Sequence, residues 1–245
     1  MDGPLTAERT AEAVAPIIDR LRLAIARQVP ERAQSLVGDL GVAPSELQTM
    51  GMLRNLMPSR SIRRQQVLDV FLYTSPAAVY GSIDQLERAG LVAIGPRDDL
   101  RLSPTGQAGV SELYAIMTGV VEERWAGHAD TVAALMPLVE AAVATAAGTG
   151  GPASAVIAPV HEPPDAPAAM LLAERLTVLR FHRFDAHAAA WQRAGLTVEE
   201  VQALPLGPVR DDIEDETNRR DAAPYAAVAP ADRLTLLAGL GSLPG

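Results

Sequence analysis

The chain has 245 residues, and 48% of them are hydrophobic, so it is long enough to bury a core in one large domain or two small ones. It contains no cysteine, which excludes disulfides and thiolate chemistry. Its 30 acidic residues outnumber 21 basic residues, all of them arginine, and a net charge of −9 makes it a poor general binder of polyanions. The N-terminal stretch lacks a basic segment followed by an apolar run, and no uninterrupted apolar run reaches ~18 residues. We therefore expect a cytoplasmic protein that does not enter a membrane.

The N-terminal part of the chain reads as two helices. Apolar residues at helical spacing predict an amphipathic helix over 5–29, which Pro30 would end. Ser45 then predicts a helix start, because Gln48 stands at the spacing of a capping box. We expect this second helix to run as far as Pro58.

Two further helix starts come next. Ser61 is predicted to cap a helix that has Ile62 on its inner face. Ser75 and Pro76 predict the next start, because serine is a good N-cap and proline suits the first helical position. Gly90 is expected to end that helix in a left-handed cap, which gives a helix over 75–89.

The pattern then changes from helix to hairpin. Residues 91–94 and 100–102 read as two short strands, and the Gly-Pro-Arg-Asp-Asp between them reads as a tight turn. Ser103 and Pro104 start a long helical region with apolar stripes over 107–143.

The C-terminal part is predicted to be helical after an interruption. Residues 148–168 are rich in Gly, Pro and Ala without a period, which indicates a linker. The predicted domains are thus 1–147, with N-terminal and C-terminal dimerisation helices, and a helical unit over 169–245. The helices expected in that unit cover 169–194, 197–204, 208–221 and 230–240.

Two similar segments end helices in the two parts. "QLERAGL" (85–91) leads into the predicted hairpin, whereas "WQRAGL" (191–196) leads into a new helix start at Thr197, with Glu200 at capping-box spacing. The second segment therefore lacks a wing. We interpret the C-terminal unit as a helical appendage, which could be a wingless second copy of the first.

A helix, a helix, a turn, a helix, a two-strand hairpin and a long helix follow one another in the order of a winged helix-turn-helix. Residues 45–140 resemble the MarR-type winged-helix regulators through "SELQTMGMLRNLM", "TSPAAVYGSIDQLERAGLV" and "LRLSPTGQ". The resemblance implies that helix 75–89 enters the major groove of double-stranded DNA. It also implies a symmetric homodimer built from the flanking helices, and a small-molecule effector that shifts its geometry.

The net charge is consistent with DNA contact only in residues 50–105. Residues 50–105 hold seven arginines and five acids, a balance of +2 that leaves −11 for the rest. The negative charges of Asp98 and Asp99 argue against insertion of the wing into the minor groove. For helix 75–89, the alternative to DNA binding is a solvated polar face. The residues predicted to contact bases or phosphates are Arg60, Arg63, Arg64, Ser75, Ala77, Tyr80, Ser82, Gln85, Arg88, Arg97 and Arg101.

A second motif, H-R-x-D-x-H, lies at 182–187 and resembles a motif of actinobacterial helical proteins of unassigned activity. His182 and His187 are five residues apart, about 140° around a helix, so they cannot face one ion and no metal is predicted. A structural network between helices is one interpretation. The other is a ligand pocket, and its predicted ligand-binding residues are His182, Asp185, His187 and Trp191.

The patterns predict a mostly α fold, and the family resemblance implies that the chain is a ligand-responsive, DNA-binding transcriptional regulator. No catalytic residue and no cofactor are predicted, because the chain has no Gly-rich phosphate loop and no nucleophile motif. Two alternatives stay open. One is an enzyme or small-molecule-binding protein on a winged-helix scaffold, with its site in the H-R-x-D-x-H region, and the other is a protein–protein adaptor.

Overall fold

The computed structural model describes residues 5–56 and 60–245, and the chain is mostly helical with one small antiparallel sheet, which confirms the predicted class. The strands are β1 (Ile62–Arg63), β2 (Val92–Ile94) and β3 (Asp99–Leu102). Single 3-10 turns cover Leu53–Leu56 and Arg64–Gln66. The helices are α1 (Ala7–Arg32), α2 (Gln34–Leu40), α3 (Pro44–Met52), α4 (Val67–Val70), α5 (Pro76–Arg88), α6 (Pro104–Arg124), α7 (Ala129–Thr149), α8 (Pro152–Ile157), α9 (Ala168–Arg193), α10 (Val198–Gln202), α11 (Pro208–Ala226) and α12 (Pro230–Ser242).

Helices α1 and α3 differ from prediction at their ends. Pro30 does not end α1, which continues to Arg32, and the Ala33 amide donates to the Val29 carbonyl in its last turn. Ser45 is not the cap of α3, because Pro44 takes the first helical position and the Glu46 carboxylate accepts from the Ala43 amide at 2.7 Å. Helix α3 ends at Met52, earlier than the predicted end near Pro58, and a 3-10 turn covers Leu53–Leu56. Pro58 itself lies outside the described residues.

The sheet has the order β1-β3-β2, with both neighbours antiparallel to β3. The predicted hairpin is confirmed, but β1 was not predicted, and the interpretation of Ile62 as helical is wrong. Ile62 pairs with Leu100, because β3 offers its free edge to this short segment. Two residues are too few to show an alternating pattern, so only the pairing partner defines this strand.

Both similar segments end helices with the same hydrogen bonds. Gly90 has φ +71° and the Leu91 amide donates to Leu86, and Gly195 has φ +77° and the Leu196 amide donates to Trp191. This is the Schellman arrangement, which needs a residue in the left-handed region. The predicted glycine cap of α5 is therefore confirmed, and the two segments differ only in the next element along the chain, which is a strand after Gly90 and helix α10 after Gly195.

The C-terminal helices pack directly on the N-terminal ones. Helix α9 contacts α1, α6, α7, α8 and α11, while α11 and α12 cover α1 and α7. One cluster of buried apolar side chains runs continuously from Ala11 to Leu243. The segment predicted to be a linker contains α8, whose Val156 and Ile157 are buried in that cluster. The division into two domains stays a prediction.

Helix α7 is long and apolar enough to cross a membrane by length and composition alone, a test that core helices of soluble proteins also pass. In this structure it packs against α9, α11 and α12 and contributes Leu135 and Val139 to the core.

Candidate functional site

Helix α5 presents one apolar and one polar face. Val79, Ile83 and Leu86 recur at helical spacing and are buried against α3 and the sheet. The opposite face is exposed to solvent, and the Ser75 hydroxyl caps the helix by accepting from the Ala78 amide at 3.3 Å. Of the predicted DNA contacts on this helix and its cap, those that are exposed are Ser75, Ala77, Gln85 and Arg88.

Two other predicted contacts on α5 are engaged within the chain. Ser82 donates its hydroxyl hydrogen to Thr49 on α3 at 2.9 Å. The Tyr80 ring lies under the guanidinium of Arg64, 4.7 Å from its centre. These side chains hold α5 against its neighbours and are only partly open to a ligand.

The predicted basic surface divides into bound and free arginines. Arg64 pairs with Asp84, and Arg101 pairs with Asp99 at the hairpin. Arg60 donates to the carbonyl of Val156 at 3.0 Å, and burial lowers its pKa. Among the described residues, Arg63, Arg88 and Arg97 are exposed and form no ion pair. The free positive charge next to α5 is therefore smaller than the arginine count suggests.

His182, the first residue of the H-R-x-D-x-H motif, is buried between helices. Its Nδ1 lies 2.7 Å from a carboxylate oxygen of Asp221 on α11, and its Nε2 lies 3.0 Å from the hydroxyl of Thr149 on α7. Both ring nitrogens are thus used, and burial raises the pKa of Asp221. His182 ties α9 to two other helices.

Asp185 of α9 caps the N-terminus of α8. Its carboxylate accepts from the amides of Gly151, Ala153 and Ser154 at 2.8–3.0 Å, and from the Ser154 hydroxyl at 2.6 Å. A carboxylate at this position satisfies amides that have no partner inside the helix. Since α8 begins at Gly151-Pro152 without a side-chain cap of its own, Asp185 supplies the cap from another helix.

Arg183 and His187 face α11. Arg183 donates to Asn218 at 2.9 Å and to Glu214 at 3.1 Å. His187 Nδ1 lies 3.3 Å from the Thr217 hydroxyl, and burial lowers the pKa of His187 below its ordinary value of 6.5. The whole motif is engaged in contacts within the chain, as the structural-network interpretation expects, and ligand binding by these residues stays a prediction.

Trp191 connects α9 to the turn before α5. Its indole nitrogen donates to the Tyr73 hydroxyl at 3.2 Å. The rings of Tyr73 and Phe184 meet edge to face, with their centres 5.3 Å apart. Gln202 also donates to the Tyr73 carbonyl at 3.4 Å. The C-terminal helices therefore hold the turn that orients α5, a role that sequence reasoning did not assign to Tyr73.

The sequence analysis also missed a buried ion pair in the centre of the molecule. Arg54 and Glu174 are 2% and 0% exposed, and two guanidinium nitrogens meet the two carboxylate oxygens at 2.7–3.2 Å. The available signal was Glu174 itself, the one acid in the largely apolar segment 170–179, which also contains Arg175 and Thr177.

A cavity of about 980 Å³ lies between α1, α2, α3 and α6, beside this ion pair. Its walls are largely apolar and include Ile25, Leu47 and Met117, while Arg22 and Arg54 contribute positive charge. The Nη1 atom of Arg22 is shielded from solvent and has no hydrogen-bond partner within 5–56 and 60–245. Burial lowers the pKa of Arg22 to about 10, so it stays charged at neutral pH.

The described part of the chain contains no group of three metal-ligating His, Cys, Asp or Glu side chains. Comparison with protein-family models, with curated proteins and with solved structures finds no match to this chain.

Proposed function

We propose that this chain is a DNA-binding transcriptional regulator of the MarR-like winged-helix type, with α5 as its recognition helix. The observation that carries the proposal is the exposed polar face of α5, together with the exposed Arg63 and Arg97, which form no ion pair among the described residues. The order of α3, α4, α5, β2 and β3, with a sheet in the order β1-β3-β2, supports it.

The hairpin is expected to contribute only one phosphate contact, from Arg97, to DNA binding. It is short, and its tip carries Asp98 and Asp99, the second of which neutralises Arg101. Negative charge at a wing tip would be repelled by a narrow minor groove. We therefore propose that α5 and Arg63 make the main contacts, with Arg97 on a phosphate.

The test measures binding of the full chain to labelled duplexes from upstream of its own gene, by fluorescence anisotropy at several salt concentrations. Arg63→Glu with Arg97→Glu should weaken binding and lower the slope of log affinity against log salt by about 0.9 for each lost phosphate contact. Arg64 is left unchanged, because it pairs with Asp84 and its loss would disturb α5.

Arg210→Glu is the matched control, since Arg210 is exposed on α11 outside this surface, forms no ion pair among the described residues, and its replacement changes the net charge equally per site. If the wild-type chain shows no salt-dependent binding to any upstream fragment, the proposal is wrong.

We further propose that the regulator responds to a small carboxylate in the cavity between α1, α3 and α6. Apolar walls with a few polar groups are typical of small-molecule sites, and a carboxylate would pair with the unsatisfied Nη1 of Arg22. The anisotropy titration is repeated with benzoate and with benzyl alcohol as its neutral counterpart. We expect benzoate alone to change DNA affinity, and Arg22→Met to abolish the change.

The enzyme and adaptor alternatives have less support. His182 and Asp185 bond to other helices, and Trp191 bonds to the turn before α5, so a reaction at the H-R-x-D-x-H motif would have to displace these contacts.

A further inference from the structure

A second cleft, separate from α5 and from the cavity beside Arg22, lies between one face of α6 and the segment 161–167. Its volume is about 530 Å³. Residues 111, 115, 118 and 122 of α6 recur at helical spacing along one wall, and Pro163, Ala166 and Pro167 form much of the other. The α6 wall consists mostly of small and polar side chains, namely Ser111, Ala115, Thr118 and Glu122, whereas Pro163, Ala166 and Pro167 make the facing wall mainly apolar.

Two rings form a corner in this cleft. The rings of Tyr114 and His161 meet edge to face, with their centres 5.8 Å apart and their planes at 76°. The backbone amide of His161 donates to the side chain of Asn55 at 3.1 Å, which holds the corner in place. Burial lowers the pKa of His161, so this ring is uncharged near neutral pH and does not repel a cation.

The charge in the cleft is negative. Glu122 and Asp165 are exposed lining residues that form no ion pair among the described residues, and the lining includes no arginine. Burial raises the pKa of Tyr114 to about 12; Glu174 and Asp165 act in the same direction, and Arg54, which pairs with Glu174, acts in the opposite direction.

Tyr114 adds an independent sign of a ligand. The residue is only 8% exposed, yet its hydroxyl has no hydrogen-bond partner within the described ranges. A buried hydroxyl without a partner costs free energy unless something else satisfies it.

We infer that this cleft binds a small organic ammonium ion. The face of an aromatic ring attracts a cation through its quadrupole, and Tyr114 is one of the residues that line the cleft. Glu122 and Asp165 would balance the ligand's charge, and the apolar wall of Pro163, Ala166 and Pro167 would hold its alkyl groups. A polar group on the ligand would then meet the Tyr114 hydroxyl.

The test monitors the ring signals of the four histidines in the full chain by proton NMR. Choline is titrated near neutral pH, and 3,3-dimethylbutan-1-ol serves as a neutral counterpart of closely similar shape. His161→Gln identifies the His161 signal. We expect choline to shift this signal saturably and to bind at least about fivefold more tightly than the alcohol.

Variants separate the cleft from the general negative charge of the protein. Asp165→Asn and Glu122→Gln should each weaken choline binding about two- to fivefold at low ionic strength, and both remove exposed carboxylates that the fold does not need. Glu112→Gln is the matched control, because Glu112 is exposed on α6 but does not line the cleft.

The inference is overturned if the His161 signal does not saturate by about 50 mM choline, which would place any affinity below a useful range. Equal affinity for the neutral alcohol would also overturn it, and so would equal weakening by Glu112→Gln. Because no residue of α5 lines this cleft, none of these outcomes bears on the DNA-binding proposal.

Discussion

Arg54 and Glu174 show how strongly single residues connect distant parts of this chain. They are 120 positions apart, and each is almost inaccessible to water. Desolvation of two charges offsets much of their attraction, so the intact pair is weak evidence for stability, whereas a broken pair leaves an uncompensated buried charge.

We therefore predict that Glu174→Gln lowers the free energy of unfolding by about 3–5 kcal/mol. The double variant Arg54→Met, Glu174→Leu should lose less, because it leaves no charge unpaired. Urea denaturation measures both. Asp19→Asn, which breaks an exposed pair with Arg180, is the control and should cost at most about 1 kcal/mol. A Glu174→Gln variant as stable as this control would show that water reaches Arg54.

The lowered pKa of His187 accounts for part of the loss of folding stability that we predict at acidic pH. Burial lowers its pKa in the folded chain, whereas the unfolded chain takes up a proton near the ordinary value of 6.5. The stability that neutral His187 permits is therefore present above pH 6.5 and is lost as the pH falls below it.

We expect His187→Asn to reduce this loss on acidification, as measured by thermal unfolding across that range. His161 has a lowered pKa for the same reason and should leave a residual dependence. His128→Asn serves as a control on the total number of histidines. If the His187→Asn and wild-type curves run parallel, His187 does not titrate as proposed.

Helix α8 shows that an element can depend on a side chain from elsewhere. It has six residues, too few to be stable alone, and its N-terminal amides are satisfied by Asp185 of α9. Arg60 binds carbonyls at its other end. Both ends of α8 are thus held by residues outside it, which explains how a segment with a linker composition forms a buried helix.

Replacing Asp185 by alanine should therefore release α8. We predict a loss of about 1–3 kcal/mol in unfolding free energy, since several amides lose their acceptor at once. Hydrogen exchange over residues 150–158 should increase, while α5 stays protected. Asp165→Ala removes an exposed carboxylate just before α9 and provides the comparison. Unchanged exchange in α8 would mean that water replaces the carboxylate at no cost.

At the scale of the whole molecule, the apolar faces of the long helices are covered within one chain. Val14, Ile18 and Leu21 of α1 are buried, and α1 packs on α11 and α12. The amphipathic pattern over 5–29 therefore provides no uncovered stripe for the homodimer that the family resemblance implies. The dimer stays a prediction, and it requires a surface other than this stripe.

Light scattering at micromolar concentration decides the oligomeric state. A regulator that reads a two-fold symmetric operator should have twice the chain mass of 25.8 kDa, with its two α5 helices about 34 Å apart, one turn of DNA. If the mass equals that of one chain both with and without DNA, the protein does not bind as a dimer, and α5 could contact only a single site on the DNA.

Truncation tests how far the two parts depend on each other. A chain that ends at Gly148 would expose the faces of α1 and α7 that α9, α11 and α12 cover, and it would leave Arg54 without Glu174. We expect this truncated chain to lose its cooperative thermal transition or to aggregate. A folded, soluble product that still binds the same DNA would instead support an independent N-terminal domain, as the sequence suggested.

Local signals were sufficient wherever the structure depends on neighbouring residues. Ser75-Pro76, Gly90 and Ser103-Pro104 marked helix ends correctly, because caps, ring constraints and left-handed glycine act within a few residues. The hairpin and the apolar face of α5 were likewise predicted from spacing alone.

Only the tertiary structure determined which polar residues are available to a ligand. Arg64 was predicted to contact DNA, yet the fold brings Asp84, which is 20 positions away, close enough to neutralise it. The cleft at Tyr114 and His161 joins residues 47 positions apart, and no periodicity links them. Pairing, burial and cavity shape arise from contacts between distant segments, so composition and spacing could not determine them.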